Sequence, residues 1–175
     1  MKNREMKLDT RTLTVTAVLL AMNIVMSSSV LSIPVPGGHM YLNDLIICTA
    51  AVLVNPFCAF VVGGIGAFLG DLLFYPTPMF VSLVTHGVQA IVISLCVHRW
   101  DKAHPVRASV VGAVLGWILT VAGYSFGRAF IYSTPEYALL KLPFQILQTL
   151  VGESLALLLL WRAGLVKLYE KRFKP

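Results

Sequence analysis

Three long apolar segments dominate the first half of the chain: LTVTAVLLAMNIVM (residues 13–26), LIICTAAVLVNPFCAFVVGGIGAFL (45–69) and FVSLVTHGVQAIVISLCV (80–97). From residue 12 to residue 98 only two side chains carry a formal charge, Asp44 and Asp71. A water-soluble domain of this length needs a charged, solvated surface, whereas a charge at the centre of a bilayer costs on the order of 3 kcal/mol. The sequence therefore predicts an integral membrane protein, and these two charges are candidate functional residues.

The composition of the whole chain agrees with a helical membrane domain. It has 175 residues, of which 57% are hydrophobic, and a mean hydropathy of +0.79. We expect one transmembrane domain over residues 1–175 and no soluble domain. Its three cysteines, Cys48, Cys58 and Cys96, lie in apolar segments without CxxC spacing, which favours a packing role. We therefore expect no metal site, no cofactor and no catalytic residue.

The hydrophobic pattern predicts an all-α bundle of six transmembrane helices. The second is too short to cross about 30 Å of hydrocarbon upright, so it is buried, tilted or only partly spanning. Pro56 follows a tight break and suits the first turn of the third helix. The apolar run after the N-terminal segment is longer than a signal-peptide core, so we expect a retained first helix. The predicted helices are 12–31, 41–54, 56–74, 79–98, 109–132 and 142–163.

The distribution of lysine and arginine sets the expected orientation. The net charge of +6 comes from basic residues at the ends of apolar segments, which is not a pattern for nucleic-acid binding. The positive-inside rule places both termini and the 99–107 loop in the cytoplasm, and the loops 32–40, 75–78 and 133–141 outside. The cytoplasmic set is Lys2, Arg4, Lys7, Arg11, Arg99, Lys102, Arg107, Arg162, Lys167, Lys171, Arg172 and Lys174, whereas the outer side receives Lys141 with Arg128 near it.

Polar side chains concentrate near the outer ends of the predicted helices. On the fourth, fifth and sixth helices they recur three or four residues apart, which places them on single faces. Glu153 lies more than a turn deeper than the other polar residues of the sixth helix. The candidate substrate-binding residues are His39, Tyr41, Asn43, Asp71, His86, Gln89, Tyr124, Arg128, Gln145, Gln148 and Glu153.

Two interpretations of these residues are open. They can satisfy one another as hydrogen bonds between helices, or they can line a pocket for a small polar, aromatic solute. Asp44 suits a capping charge at a helix N-terminus, and Asp71 can pair with Arg128. The aromatic rings available for stacking on such a solute are Tyr41, Tyr75, Tyr124 and Phe126.

Other patterns bear on packing and energy supply. Ala17 and Ala21 form a small-xxx-small face on the first helix, and glycines 63, 64, 66 and 70 permit close packing of the third. The chain has no GxxxxGK[ST] phosphate loop, no HExxH and no GxSxG. A transporter built on this chain therefore takes its energy from a partner or from a gradient.

The central stretch GHMYLNDLIICTAAVLVNPFCAFVVGGIGAFLGDLL (38–73) resembles the substrate-binding S components of energy-coupling factor (ECF) vitamin transporters. The likeness is greatest to the riboflavin/hydroxymethylpyrimidine-type branch, where an aromatic-x-[GN]-D start, a proline break and a GGxGxxxxD helix recur. Ala17 and Ala21 match the alanine motif through which S components dock on the T component.

This resemblance implies a high-affinity receptor for a vitamin or vitamin precursor in the cell membrane of a prokaryote. It implies a transmembrane T component and two cytoplasmic ABC ATPases as partners, with ATP bound by the ATPases, and a protein that topples in the bilayer to release its solute inward. Hydroxymethylpyrimidine or a B6 vitamer suits a small pocket with amides, histidines and a carboxylate, and riboflavin stays open.

Two other classes of function are alternatives. A stand-alone channel or secondary transporter is expected to have polar residues through the full depth of the membrane, whereas here they stop in the outer half. An intramembrane enzyme would have only Asp71, His86 and Glu153 as catalytic material. We therefore expect a binding protein and not an enzyme.

Overall fold

The computed structural model describes residues 9–28, 31–36 and 38–173. Within these ranges the chain forms seven helices and one short hairpin. Four of the helices, α3 to α6, are long and apolar enough to cross a membrane, whereas α1 and α2 are apolar but shorter. In chain order the elements are α1 (Thr10–Met26), β1 (Ile33–Val35), β2 (Gly38–Met40), α2 (Asn43–Leu53), α3 (Pro56–Phe74), α4 (Met79–Trp100), α5 (Pro105–Tyr132), α6 (Pro135–Arg162) and α7 (Leu165–Phe173).

Helix α2 lies in the centre of the bundle. Ten of its eleven residues are buried, because the sequence NDLIICTAAVL is apolar or small on every side after its first two residues. The helix ends at Leu53. Asn55 then caps α3, because its side chain accepts a hydrogen bond from the Cys58 backbone N–H at 2.9 Å, and Pro56 opens α3. Of the three possibilities that the sequence leaves for this helix, burial is the one found.

Close packing around α3 depends on its glycines. A Cβ atom at Gly66 would lie 2.6 Å from the Asn23 side chain of α1, and one at Gly64 would lie 3.0 Å from Gly87 of α4. Asn23 also donates a 2.7 Å hydrogen bond to the carbonyl of Val62, which lies in a π-helical turn of α3 (Val61–Ile65). The glycines thus let α1 and α4 approach α3 closely, as the sequence predicts.

A two-stranded antiparallel hairpin connects α1 to α2. Ile33 pairs with Met40, and Pro34 pairs with His39. Gly38 has a φ of 133°, a conformation that favours glycine. The hairpin brings His39 and the residues after it to the end of the bundle where α2, α4 and α6 begin.

Several predicted helix boundaries are wrong. Helix α1 ends at Met26 and not at residue 31, α5 begins at Pro105 and not at 109, and α6 begins at Pro135 and not at 142. The segment 135–141, expected to be an outer loop, is therefore helical. The sequence analysis also does not predict α7. The basic residues Lys2, Arg4, Lys7 and Lys174, which contribute to the expected orientation, lie outside the described residues.

Candidate functional site

A cavity of about 280 Å³ lies at one end of the bundle. It is bounded by the hairpin, by the first residues of α2, α4 and α6, and by the last turns of α3 and α5. Its lining is rich in polar and aromatic side chains and comprises Ser27, Gly38, His39, Tyr41, Asn43, Asp71, Tyr75, Pro78, Ser82, His86, Tyr124, Arg128, Tyr132, Ser133, Tyr137, Lys141, Gln145 and Gln148.

The structure brings most of the candidate substrate-binding residues to this one cavity. Gln89 and Glu153 are the exceptions, since both are buried in the bundle but do not line the cavity. The candidates that line it are His39, Tyr41, Asn43, Asp71, His86, Tyr124, Arg128, Gln145 and Gln148.

One wall of the cavity carries a chain of hydrogen bonds across three helices. The Tyr124 hydroxyl of α5 donates to the Ser82 hydroxyl of α4 at 2.6 Å, and Ser82 in turn donates to a carboxylate oxygen of Asp71 on α3. The Tyr124 ring also lies edge-on to the His86 ring, with 5.2 Å between the centroids. This wall therefore holds Asp71 in place, as a hydrogen-bond acceptor at the cavity surface.

A buried polar layer lies beneath the cavity, centred on Gln89. Its side-chain N–H₂ donates to Asp44 and to Glu153, at 2.9 Å each, while its side-chain oxygen accepts from His86 Nδ1 at 2.7 Å. Asp44 also accepts a longer bond, 3.5 Å, from Gln148. The suggestion that Asp44 simply caps a helix is therefore incomplete, because this carboxylate is fully buried and bonded to two other helices.

The hairpin is fastened to α6 by two side chains. Lys141 Nζ donates to the His39 carbonyl at 2.6 Å, and the side-chain oxygen of Gln148 accepts from the Tyr41 backbone N–H at 3.1 Å. Only 2% of Lys141 is exposed. Tyr41 itself is half-buried, and this burial raises the pKa of its hydroxyl. The hairpin thus forms a wall of the cavity and holds Tyr41 beside it.

Three buried polar atoms of lining residues have no hydrogen-bond partner among the described residues. They are Oδ1 of Asn43, Nε2 of Gln145 and the hydroxyl of Tyr132. Asn43 and Gln145 are 6% and 3% exposed. Leaving such atoms unpaired costs about 1–3 kcal/mol each. The lining residues therefore have unused hydrogen-bonding capacity beside the cavity.

Sequence reasoning misses several lining residues. Ser82 lies four residues before His86, and Lys141 lies four before Gln145, so the helical period that identified their neighbours also identifies them. Tyr132 is the last residue of α5, and Tyr137 lies in the first turn of α6. At such helix ends, few neighbouring turns are present to define a polar face.

Two expectations about individual residues are wrong. Phe126 is 61% exposed and packs on Phe130, with the ring centroids 5.1 Å apart, so it is not available for stacking in the cavity. Asp71 does not form the suggested ion pair with Arg128, because its carboxylate accepts from Ser82 while Arg128 lies over the Tyr132 ring.

Two further expectations concern the alanine pair on α1 and the absence of a metal site. Ala17 and Ala21 lie on an exposed face of α1, together with Val18 and Met22. Within the described ranges, no three His, Cys, Asp or Glu side chains are grouped so that they could hold a metal ion.

Comparison with known proteins gives a consistent result. A family model described as ECF-type riboflavin transporter, S component, matches residues 7–166. A thiamine precursor transporter, HmpT, from Lactococcus lactis subsp. cremoris (strain MG1363) is 29% identical over 166 residues, which cover 91% of this chain and 93% of that protein. An uncharacterized protein in the gap 3' region of Pyrococcus woesei is 27% identical over 156 residues, 87% of this chain and 97% of that one.

These matches confirm the resemblance noted in the sequence. The family is one of membrane transporter components and is not a class of enzymes. The chain belongs to the ECF-type riboflavin transporter S component family.

Proposed function

We propose that this protein is the solute-capturing S component of an ECF-type ABC importer. It binds a vitamin or vitamin precursor, hydroxymethylpyrimidine or a B6 vitamer, in the cavity on the outer side of the membrane. A transmembrane T component and two cytoplasmic ATPases, which bind the ATP, then drive delivery inward. The family match supports the class of transporter.

The observation that carries the proposal is the unpartnered acceptor and donor of two residues that line the cavity. Buried polar atoms are nearly always hydrogen-bonded in folded proteins. Asn43 Oδ1 and Gln145 Nε2 lack partners among the described residues, and both residues line the same cavity. A ring with its own donors and acceptors completes both bonds, while Tyr41, Tyr75 and Tyr124 supply aromatic contact.

The size of the cavity favours a solute with a single ring. Small-molecule sites commonly have volumes of roughly 300–1,000 Å³, and this cavity, at about 280 Å³, lies at the small end. A substituted pyrimidine or pyridine suits that volume better than riboflavin, which has a tricyclic ring system and a polyol chain. The relative named as a thiamine precursor transporter supports the same choice.

The proposed arrangement in the membrane has six transmembrane helices, α1 to α6, in one substrate-binding domain with both termini in the cytoplasm of a prokaryote. The short α2 is buried in the bundle and crosses only part of the hydrocarbon. The lysine and arginine distribution supports this orientation. It places the cavity outside, where solute is captured, and places Arg99, Lys102 and Arg107 on the side of the ATPases.

The T component docks on the face of α1 that carries Ala17 and Ala21. Their small side chains allow another helix to approach closely. Both residues are exposed, and the larger apolar neighbours Val18 and Met22 are exposed beside them. This face is therefore open to the lipid or to a second protein.

The proposal is tested by identifying the bound solute. The protein is purified from cells in mild detergent, and small molecules released by denaturation are identified by mass spectrometry. Hydroxymethylpyrimidine, pyridoxine and riboflavin are then titrated into solute-free protein by calorimetry. Tight binding of one single-ring compound is the expected result. Failure of every vitamin and vitamin precursor to bind would contradict the proposal.

A further inference from the structure

The outer end of the cavity holds two cationic side chains that form no ion pair with any residue that the structure describes. Lys141 is buried and donates to the His39 carbonyl. Arg128 lies over the Tyr132 ring, with 5.8 Å between its Cζ atom and the ring centroid. The ion pairs found among the described residues involve neither of these cations. The positive charge of Arg128 also acts on Lys141, so the two repel one another. Lys141 is buried and Arg128 is partly buried, and holding like charges together in such surroundings without an anion is costly.

The carboxylates of the bundle lie deeper than these cations. A Cβ atom at Gly116 would lie 3.1 Å from a Glu153 carboxylate oxygen, which places Glu153 level with Gly116 of α5. Gly116 is twelve residues before Arg128, and Glu153 is twelve residues after Lys141, a distance of about 18 Å along each helix. Asp44 belongs to the same deep layer, because Gln89 bridges it to Glu153.

Asp71 is the carboxylate that reaches the cavity surface. Through Ser82 it is linked to Tyr124, which lies one turn, or about 6 Å, below Arg128 on α5. The cavity therefore has a positive end, formed by Lys141 and Arg128, and a negative group one turn further in.

We infer that the solute carries an anionic oxygen, which binds between Lys141 and Arg128, and a charged N–H group, which faces Asp71. A zwitterionic hydroxypyridine has both features. Near neutral pH, B6-type hydroxypyridines carry a negative ring oxygen and a protonated ring nitrogen, whereas hydroxymethylpyrimidine is neutral. This inference rests on the proposed function and narrows it to the hydroxypyridine class.

The first test changes only the ligand. Pyridoxine, 3-deoxypyridoxine, which lacks the ring hydroxyl, and hydroxymethylpyrimidine are titrated into the unaltered protein by calorimetry. A charge-assisted bond is worth enough to change affinity by roughly tenfold or more. We expect pyridoxine to bind at least about tenfold more tightly than each of the other two compounds. Equal affinity for pyridoxine and its deoxy analogue would overturn the inference.

The second test locates the oxygen. In Arg128→Gln and Lys141→Met, the advantage of pyridoxine over 3-deoxypyridoxine is expected to fall severalfold, because the removed charge no longer distinguishes the two ligands. Lys167→Met, an exposed lysine on α7 outside the cavity, is the matched control and keeps the full advantage. Because the quantity is a ratio within one variant, partial loss of folded Lys141→Met protein does not affect it. An unchanged ratio in both cavity variants would contradict the assignment.

The outcomes separate this inference from the proposed function. If hydroxymethylpyrimidine binds most tightly and neither cavity variant changes the ratio, the inference fails while the transporter assignment stands. If no vitamin or vitamin precursor binds, the proposed function itself fails.

Discussion

Gln89 makes three side-chain hydrogen bonds in the buried layer. Its amide separates two buried carboxylates and also accepts from His86. The sequence identifies Gln89 as polar and on the His86 face of its helix, but it predicts a solute contact. Its hydrogen bonds to Asp44 and Glu153 could not be predicted, because these two residues come from distant parts of the chain and meet only in the folded bundle.

Gln89→Leu is therefore expected to lower stability. Leucine cannot donate to the two carboxyl groups, and leaving buried hydrogen-bonding groups unpaired costs about 1–3 kcal/mol each. The measurement is the midpoint of thermal unfolding in detergent. Adding Glu153→Gln replaces one of the unpaired carboxyl groups with an amide, which supplies a donor to the layer, and should restore part of the midpoint. A midpoint in Gln89→Leu equal to that of the unaltered protein would show that the buried layer is not stabilising.

Gln148→Leu addresses the cavity itself. This side chain lines the cavity and accepts from the Tyr41 backbone N–H, so its loss removes a polar group from the site and loosens the hairpin. Solute binding is expected to weaken by about 1–3 kcal/mol, or roughly tenfold to a hundredfold. Calorimetry with the solute identified from the purified protein measures this change, with the exposed Ser154→Ala on the same helix as control. Equal affinity for the solute in Gln148→Leu and in the control would show that Gln148 does not contribute to solute binding.

For whole helices, the sequence predicts existence better than boundaries. The apolar patterns locate α3 and α4 well, because polar or proline-rich breaks such as YPTP end them. Helix α6 is different, since Pro143 suggests a break, yet the helix runs through it from Pro135. The start signal is local and was available: the Thr134 side chain accepts from the Tyr137 N–H, Pro135 follows, and Glu136 lies in the first turn. Because the predicted helix begins at residue 142 and not at Pro135, the sequence analysis places Lys141 in a loop.

The exposed face of α1 has its own prediction. Replacing Ala17 and Ala21 together with Trp blocks close approach of a partner helix but leaves the cavity, which neither residue lines, unchanged. Solute binding is expected to persist while uptake into cells is lost. Leu115 and Leu119, an exposed pair with the same spacing on α5, replaced by Trp, are the matched control. Normal uptake by the Ala17/Ala21 variant would show that the T component docks elsewhere.

For the molecule as a whole, the distribution of polar groups supports the proposed function. The cavity and the layer beneath it gather the polar side chains at one end of the bundle, while the core around α2 is apolar. This arrangement agrees with the proposed binding of a solute from one side of the membrane. The sequence also lacks a phosphate-binding loop of the GxxxxGK[ST] type. We therefore propose that the protein captures its solute and takes the energy of transport from its partner proteins.

The most direct test of this account is transport by reconstituted protein in liposomes. Alone, the protein should bind its solute but give no sustained accumulation, with or without a proton or sodium gradient. With the T component and the two ATPases, accumulation should appear and should require ATP on the side of the ATPases. Accumulation by the lone protein under an ion gradient would contradict the account and identify a secondary transporter.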